Sequence, residues 1–196
     1  MSGAPTHLLY LHGFRSSPQS AKARRVGAWL AEHRPELKFW SPQLPPSPRA
    51  AVAMLLEGTA DWPATSVVVG SSLGGFYATA VAEARGWTAG VLNPAVDPAR
   101  DLAAYIGENK QFHKPEESFF FLPEYVDELR ALRPPAITRP ERYFAVVATG
   151  DELLDWREMH ARYAGATIRL VEGSDHALSD FDEHLPHLLR YLRLCD

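Results

Sequence analysis

Residues 66–80 read SVVVGSSLGGFYATA, and this stretch decides the fold. Its valines form an apolar run typical of a buried strand, and the alanine-rich part after Gly75 is typical of a helix. Between them Gly70, Ser72 and Gly74 form the pattern G-x-S-x-G, which predicts a sharp turn that holds the serine outward at the helix N-terminus. Side chains at the two glycines would collide with neighbouring backbone. Because a plain structural turn also fits the pattern, other parts of the sequence have to support a catalytic interpretation.

Apolar runs alternate with helical patterns along the chain. Strands are predicted near residues 7–11, 37–41, 66–71, 88–92, 142–149 and 167–172. This alternation is typical of a parallel sheet with helices on both faces. We expect an α/β fold with six strands in the order 2-1-3-4-5-6 and a site at their carboxyl ends. Ser17-Pro18 and Ser47-Pro48 each place a capping hydroxyl before a proline, so helices are predicted to begin near 18 and 48.

A chain of 196 residues is expected to form a single domain, residues 1–196. Residues 97–139, which we call the cap segment, interrupt the alternation. This segment is rich in aromatic residues and leaves through Pro134 and Pro135. A long connection inside a compact domain is usually a functional cap or a disordered segment, and the aromatic content favours a cap-like insertion.

The composition argues against several classes of protein. A net charge of -4 and a pI near 6.1 provide no basic surface for nucleic acid. No apolar run is long enough to span a membrane, and the start of the chain lacks the basic and apolar regions of a signal peptide. Cys195 is the one cysteine, which excludes an intramolecular disulfide. We therefore expect a cytoplasmic protein that acts on small molecules; the sequence leaves its oligomeric state open.

A nucleophilic serine needs a base, and the chain offers eight histidines. His176 lies in VEGSDH, just beyond the last predicted strand, where an imidazole can reach across the end of the sheet. His184 and His187 lie near the start of the terminal helix, and His33 and His160 lie on helical patterns. A surface or interhelix role fits these four better, and a metal site built on His184 and His187 is remote because no third ligand is evident.

The base in turn needs a carboxylate that fixes its tautomer. Asp151 follows the strand before it in ATGDELLD and gives the chain order Ser, Asp, His. Asp155 is the main rival, but it looks like the N-cap of a helix that begins at Trp156. Asp175 is a more distant rival because it adjoins the histidine. The predicted triad is therefore Ser72, Asp151 and His176.

Backbone N–H groups of Phe14 and Leu73 are the candidate oxyanion donors. Phe14 lies in the loop LHGFRSSP after the first strand, where Gly13 allows a close backbone approach and His12 is expected to brace the loop. A substrate pocket is expected from further residues around these positions. Its candidates are His12, Arg15, Ser71, Phe76 and Phe120, although the phenylalanines also fit core positions, and three consecutive phenylalanines (119–121) cannot all face one side.

Several blocks together resemble the YqiA-type esterase family, a small bacterial branch of the α/β-hydrolases. They are YLHGFRSSPQSAKA, PQLPP, VGSSLGGFYAT, NPAV, TGDELLDWR and GSDHA, and they occur in order over nearly the whole chain. The resemblance implies an α/β-hydrolase fold and a cytoplasmic carboxylesterase or thioesterase with Ser72, Asp151 and His176 at the matching positions. The cap segment matches least.

The expected function is hydrolysis of acyl esters through an acyl-serine, with no cofactor and no metal. An acyl-CoA thioesterase or an acyl transferase could use the same triad, because the sequence does not reveal what resolves the intermediate. A non-catalytic binding protein that kept the fold is a third possibility. The triad positions all carry competent residue types, which favours an enzyme.

Overall fold

The computed structural model describes residues 3–134 and 136–196, so Pro135 of the predicted proline exit and the first two residues lie outside the described part. Six parallel strands form the main sheet in the order β2-β1-β3-β4-β7-β8. Strands β5 and β6 belong to the cap segment and form a separate sheet, so the order of the main sheet confirms the predicted order 2-1-3-4-5-6. The strands are β1 (His7–Leu11), β2 (Lys38–Trp40), β3 (Val67–Ser71), β4 (Thr88–Leu92), β5 (Gly107–Lys110), β6 (Ser118–Phe121), β7 (Tyr143–Ala148) and β8 (Thr167–Val171).

Helices cover both faces of this sheet. They are α1 (Ala21–His33), α2 (Pro48–Gly58), α3 (Leu73–Arg85), α4 (Pro98–Asp101), α5 (Pro123–Leu132), α6 (Trp156–Arg162) and α7 (Phe181–Tyr191). Among the described residues, α1 and α7 pack in one hydrophobic core, and α2, α3, α5 and α6 pack in the other.

Alternate residues of each central strand enter opposite cores. In β1, Leu9 and Leu11 belong to the core on the α3 side, whereas Leu8 and Tyr10 belong to the core on the α1 side. Successive side chains of a strand point to opposite faces, so a strand that is covered on both sides must be apolar throughout. Such continuous apolar runs are the pattern from which the strands were predicted.

The two predicted helix starts have different outcomes. α2 begins at Pro48 with Ser47 as its N-cap, as predicted. The prediction for the first helix was wrong: α1 begins at Ala21, and the Ser20 side chain accepts from the N–H of Ala23. Ser17 instead accepts from the N–H of Gln19 in a local turn. Serine and proline favour turns as well as helix starts, and Ser17-Pro18 lies in a turn.

The cap segment contains ordered structure, not a plain loop. After α4 it forms an antiparallel hairpin of β5 and β6 and then α5, which packs against α2 and α4. The Nε of Arg15 donates to the carbonyl of Lys110 at 2.8 Å, and the N–H of Phe112 donates to the carbonyl of Arg15, also at 2.8 Å. These bonds join the hairpin to the loop that follows β1.

None of the helices in the described ranges, 3–134 and 136–196, is long and apolar enough to cross a bilayer.

Candidate active site

Ser72 lies at a tight turn between β3 and α3. Its backbone has φ 55° and ψ -122°, a conformation that non-glycine residues rarely adopt. The flanking glycines are needed sterically, because a Cβ on Gly70 would lie 2.0 Å from the carbonyl oxygen of Gly74. A Cβ on Gly74 would lie 2.0 Å from the carbonyl oxygen of Leu11. The steric reason that was predicted for both glycines is therefore correct.

The strained turn is fixed by backbone hydrogen bonds. The N–H of Ser72 donates to the carbonyl of Leu92 at 2.9 Å. The carbonyl of Ser72 accepts from Gly75 at 2.8 Å and from Ala95 at 3.0 Å. Strain of this kind costs about 1–3 kcal/mol and persists only where the surroundings fix the conformation. Here the end of β4 and the first turn of α3 fix it.

The side chain of His176 lies within hydrogen-bonding distance of both Ser72 and Asp151. The Nε2 of His176 is 2.9 Å from the Oγ of Ser72, and its Nδ1 is 2.8 Å from the Oδ2 of Asp151. The other carboxylate oxygen of Asp151 accepts from the N–H groups of Leu153 and Leu154 at 2.9 and 2.8 Å. The Asp151 side chain is fully buried and that of His176 is 17% exposed. This geometry leaves Nε2 as the acceptor for the serine proton.

The two rival carboxylates have structural roles. Asp155 caps α6, as predicted, because its side chain accepts from the N–H of Arg157 at 2.9 Å. Asp175 accepts from the N–H and the hydroxyl of Ser179. These contacts lower the pKa of the Asp175 carboxyl, since hydrogen bonds to an ionised carboxylate stabilise it.

Three residues that the sequence analysis gave no role hold the loop that carries His176. Glu152 accepts from the backbone N–H of His176 at 2.9 Å. Lys22, on α1, donates to the carbonyl of Ala177, and burial lowers the pKa of its amine. Asn93 is fully buried, and its Nδ2 donates to the carbonyls of Asp175 and His176 at 3.0 and 3.2 Å. The quoted block NPAV contains Asn93, but its pattern alone did not indicate this role.

The loop after β1 lies against the nucleophile. A Cβ on Gly13 would lie 3.2 Å from the Cβ of Ser72, so a larger residue would press on the turn. His12 braces the loop, since its Nδ1 donates to the carbonyl of Gly13 at 2.9 Å and its Nε2 accepts from the N–H of Leu44 at 3.1 Å. Burial lowers the pKa of this imidazole, consistent with the neutral form that these two bonds require.

The candidate oxyanion donors, the N–H groups of Phe14 and Leu73, lie on the two segments that meet at Ser72. Within residues 3–134 and 136–196, neither N–H has a hydrogen-bond acceptor. Leu73 is the first residue of α3, so its N–H is one of those that a helix leaves unpaired. Both donors are therefore free for a ligand.

The candidate pocket residues divide into two groups. His12, Arg15 and Ser71 line cavities beside the nucleophile. Phe76 and Phe120 do not, which corrects that part of the prediction. Phe76 is 3% exposed within the core, and Phe120 is 61% exposed on the hairpin.

Strand alternation explains the placement of the three consecutive phenylalanines. Phe121 is buried, Phe120 is exposed, and Phe119 lines a cavity. Of these three residues, the one that lines a cavity is therefore Phe119, one position before the predicted Phe120.

Solved structures share this architecture. Similar ones include the α/β-hydrolase domain-containing protein 10 from mouse (16% identity, TM-score 0.70, 98% of this chain and 92% of that chain covered). A monoacylglycerol lipase from Paleococcus ferrophilus has 15% identity and a TM-score of 0.69, with 97% and 96% covered. The carboxylesterase CesB from Bacillus subtilis has 16% identity and a TM-score of 0.61, with 98% and 85% covered. The fold is therefore that of the α/β-hydrolases.

A family model gives the closer assignment. The model described as "Uncharacterised protein family (UPF0227)" matches residues 7–193, nearly the whole chain. UPF0227 is the YqiA family, to which the sequence blocks pointed. The chain belongs to this family of α/β-hydrolase fold proteins.

Proposed function

We propose that the protein is a serine esterase that hydrolyses acyl esters through a covalent acyl-serine at Ser72. The observation that carries the proposal is the unbroken line of contacts from the Ser72 hydroxyl through the His176 ring to the buried Asp151 carboxylate, at 2.9 and 2.8 Å. Its similarity in fold to lipases and esterases is consistent with this chemistry.

Acylation begins when Nε2 of His176 takes the hydroxyl proton of Ser72 while Oγ attacks the ester carbonyl carbon. Asp151 holds the ring by Nδ1 and stabilises the imidazolium that forms. The carbonyl oxygen becomes an oxyanion, which the unpaired N–H groups of Phe14 and Leu73 stabilise. Removal of such a donor typically costs about 3 kcal/mol of transition-state stabilisation.

The intermediate collapses when His176 gives its proton to the leaving oxygen and the bond from carbon to that oxygen breaks. The alcohol departs and leaves the acyl group on Ser72. Water then attacks the acyl carbonyl, His176 takes a proton from it, and collapse releases the acid and restores the serine hydroxyl. The base has to be neutral to take the proton of Ser72.

The test combines covalent labelling with turnover. A fluorophosphonate probe is expected to label the wild-type chain at Ser72, and p-nitrophenyl butyrate is expected to be hydrolysed. Ser72→Ala should abolish both, whereas Ser118→Ala, which removes an exposed hydroxyl on the hairpin, should leave both intact. Hydrolysis that survives in Ser72→Ala, or a wild-type chain that neither labels nor hydrolyses, would contradict the proposal.

A further inference from the structure

Two cavities flank the loop of residues 12–16. The first has a volume of about 380 Å³ and the second about 360 Å³. Both fall in the size range of small-molecule sites, about 300–1,000 Å³. Residues 12–16 form part of the wall of each, so the loop that carries the candidate oxyanion donor Phe14 separates them. A substrate bound at the oxyanion donors could therefore extend to either side of the loop.

The two cavities differ in their relation to the reacting groups. Ser72 and His176 line the second cavity, whereas Leu73 lines the first. In an acyl transfer to serine, the histidine must protonate the leaving group, so the leaving group has to lie beside its ring. Of the two cavities described, the second is the one that His176 lines. The acyl chain then extends to the other side of the oxyanion donors, toward the first cavity.

The charged side chains of the two walls divide in the same way. The first cavity is lined mainly by apolar side chains from several elements, among them Leu44, Met54, Leu73, Tyr77 and Phe119. Its charged side chain, Arg15, is already bonded to the carbonyl of Lys110 and lies over the Phe112 ring. Burial of a hydrocarbon chain against such a wall is favourable.

The second cavity carries more charged side chains than the first, although the apolar share of its wall is about the same. Lys22, Asp101 and Glu152 line it together with several hydroxyl side chains. Lys22 and Glu152 already have hydrogen bonds within the protein, but a hydrocarbon chain there would still take their charges further out of water, which is costly. A polar alcohol or thiol would not have this cost. The second cavity is therefore the better match for the leaving group.

The cap segment contributes to both cavities. The Phe14 ring makes edge-to-face contacts with Phe119 and Phe121 at centroid distances of 5.7 and 5.4 Å, and with Tyr105 at 5.4 Å. Phe119 lines the first cavity and Tyr105 the second. The cap segment thus forms part of the wall on both sides of the loop of residues 12–16.

We propose that the first cavity, beside Met54, binds the acyl chain and that the second, beside His176, receives the leaving alcohol or thiol. This inference rests on the proposed esterase function. It makes Met54 and Phe119 residues that determine acyl-chain selectivity. Leu153, which is 62% exposed and lines the second cavity, is assigned to leaving-group selectivity.

The test is the ratio of kcat/KM for p-nitrophenyl octanoate to that for p-nitrophenyl acetate. Met54→Trp should lower this ratio at least tenfold, because a filled pocket rejects the longer chain, and one methylene in a pocket is worth roughly 10–200-fold. Met54→Ala should move the preferred acyl length upward. Leu153→Trp is the matched control: it should alter the ratio for two octanoate esters with different alcohols, and change the acyl ratio by less than about twofold.

The outcomes separate this inference from the function on which it rests. Thermal unfolding followed by circular dichroism checks that each variant is folded, and Met54→Ala carries the test if the tryptophan variant is not. An acyl ratio that neither Met54 variant changes, or one that falls in Leu153→Trp, overturns the assignment of the cavities while leaving the esterase proposal standing. A wild-type chain without Ser72-dependent hydrolysis of any ester overturns both.

Discussion

Replacement of Asn93 by alanine is expected to damage both stability and catalysis through the loop that carries His176. The side chain of Asn93 is fully buried and makes three hydrogen bonds. Its Oδ1 accepts from the N–H of Ala148 at 2.8 Å, at the end of β7 and three residues before Asp151. Its Nδ2 donates to the carbonyls of Asp175 and His176. One amide thus connects the ends of β4 and β7 to the histidine loop.

The size of the effect follows from these contacts. Alanine would leave the buried N–H of Ala148 without an acceptor, which costs about 1–3 kcal/mol, and would remove two further bonds of about 1 kcal/mol each. The backbone of Asn93 has φ 39°, where alanine is less favourable than asparagine by roughly 1 kcal/mol. We expect the free energy of unfolding to fall by about 4–6 kcal/mol. Because misplacement of a reacting group by 1 Å can cost about 100-fold, kcat should fall between tenfold and 100-fold, with a smaller change in KM.

Urea unfolding and ester hydrolysis measure the two effects. Thr59→Val is the matched control, since Thr59 is also fully buried and donates to the carbonyl of Leu55 at 2.7 Å, at the end of α2. It should lose about 1 kcal/mol of stability and retain wild-type kcat. Asn93→Asp keeps the acceptor for Ala148 but turns carboxylate oxygens toward two carbonyls. Ionisation of this carboxyl is unfavourable in the folded protein but not in the unfolded chain. The stability of Asn93→Asp relative to wild type should therefore decline as pH rises above about 4, where the carboxyl ionises in the unfolded chain. A folded Asn93→Ala protein with wild-type kcat would refute the positioning role.

Three further changes have expected outcomes. Asp151→Asn should lower kcat by about three to four orders of magnitude, because an amide can stabilise the wrong ring tautomer, and titration of active sites with a fluorophosphonate would detect a matching loss of labelling rate. Gly13→Ala should lower kcat at least about tenfold with little change in melting temperature, because its methyl group would lie 3.2 Å from the Cβ of Ser72 and displace the oxyanion loop. His12 has a lowered pKa in the folded state, so the unfolded chain binds more protons below about pH 6.5. The free energy of unfolding should fall as pH drops through this window, and urea titrations of wild type and His12→Gln should show a weaker dependence in the variant.

The sheet was predictable because its strands are buried on both faces. Such strands read as continuous apolar runs, and their end points place the loops that follow them at one edge. Asp151 and Asp155 could be distinguished because a helix pattern begins directly after Asp155, which marks it as a cap. Ser72 and His176 were predicted to lie at the same edge for this reason, since each follows the end of a strand.

The features of the site that could not be predicted from the sequence depend on contacts between segments that lie far apart in the chain. Nothing local distinguishes Asn93 from any polar residue after a strand, since its partners lie 55 and 82–83 positions away. The choice of Phe120 over Phe119 failed because a one-residue shift in a strand moves a side chain to the opposite face. The register of the hairpin, which pairs Phe119 with Asn109, was not evident from composition.

Residues 93–95 connect the nucleophile to the base. The N–H of Ala95 donates to the carbonyl of Ser72, while the side chain of Asn93 holds the carbonyl of His176. Pro94 packs against Gly75, where a Cβ would lie 2.7 Å from the proline ring. Ser72 therefore keeps its unfavourable backbone conformation through the same short segment that positions its base. Because the strain at Ser72 is held by contacts that also position His176, movement of this segment would relax the serine and withdraw the imidazole together.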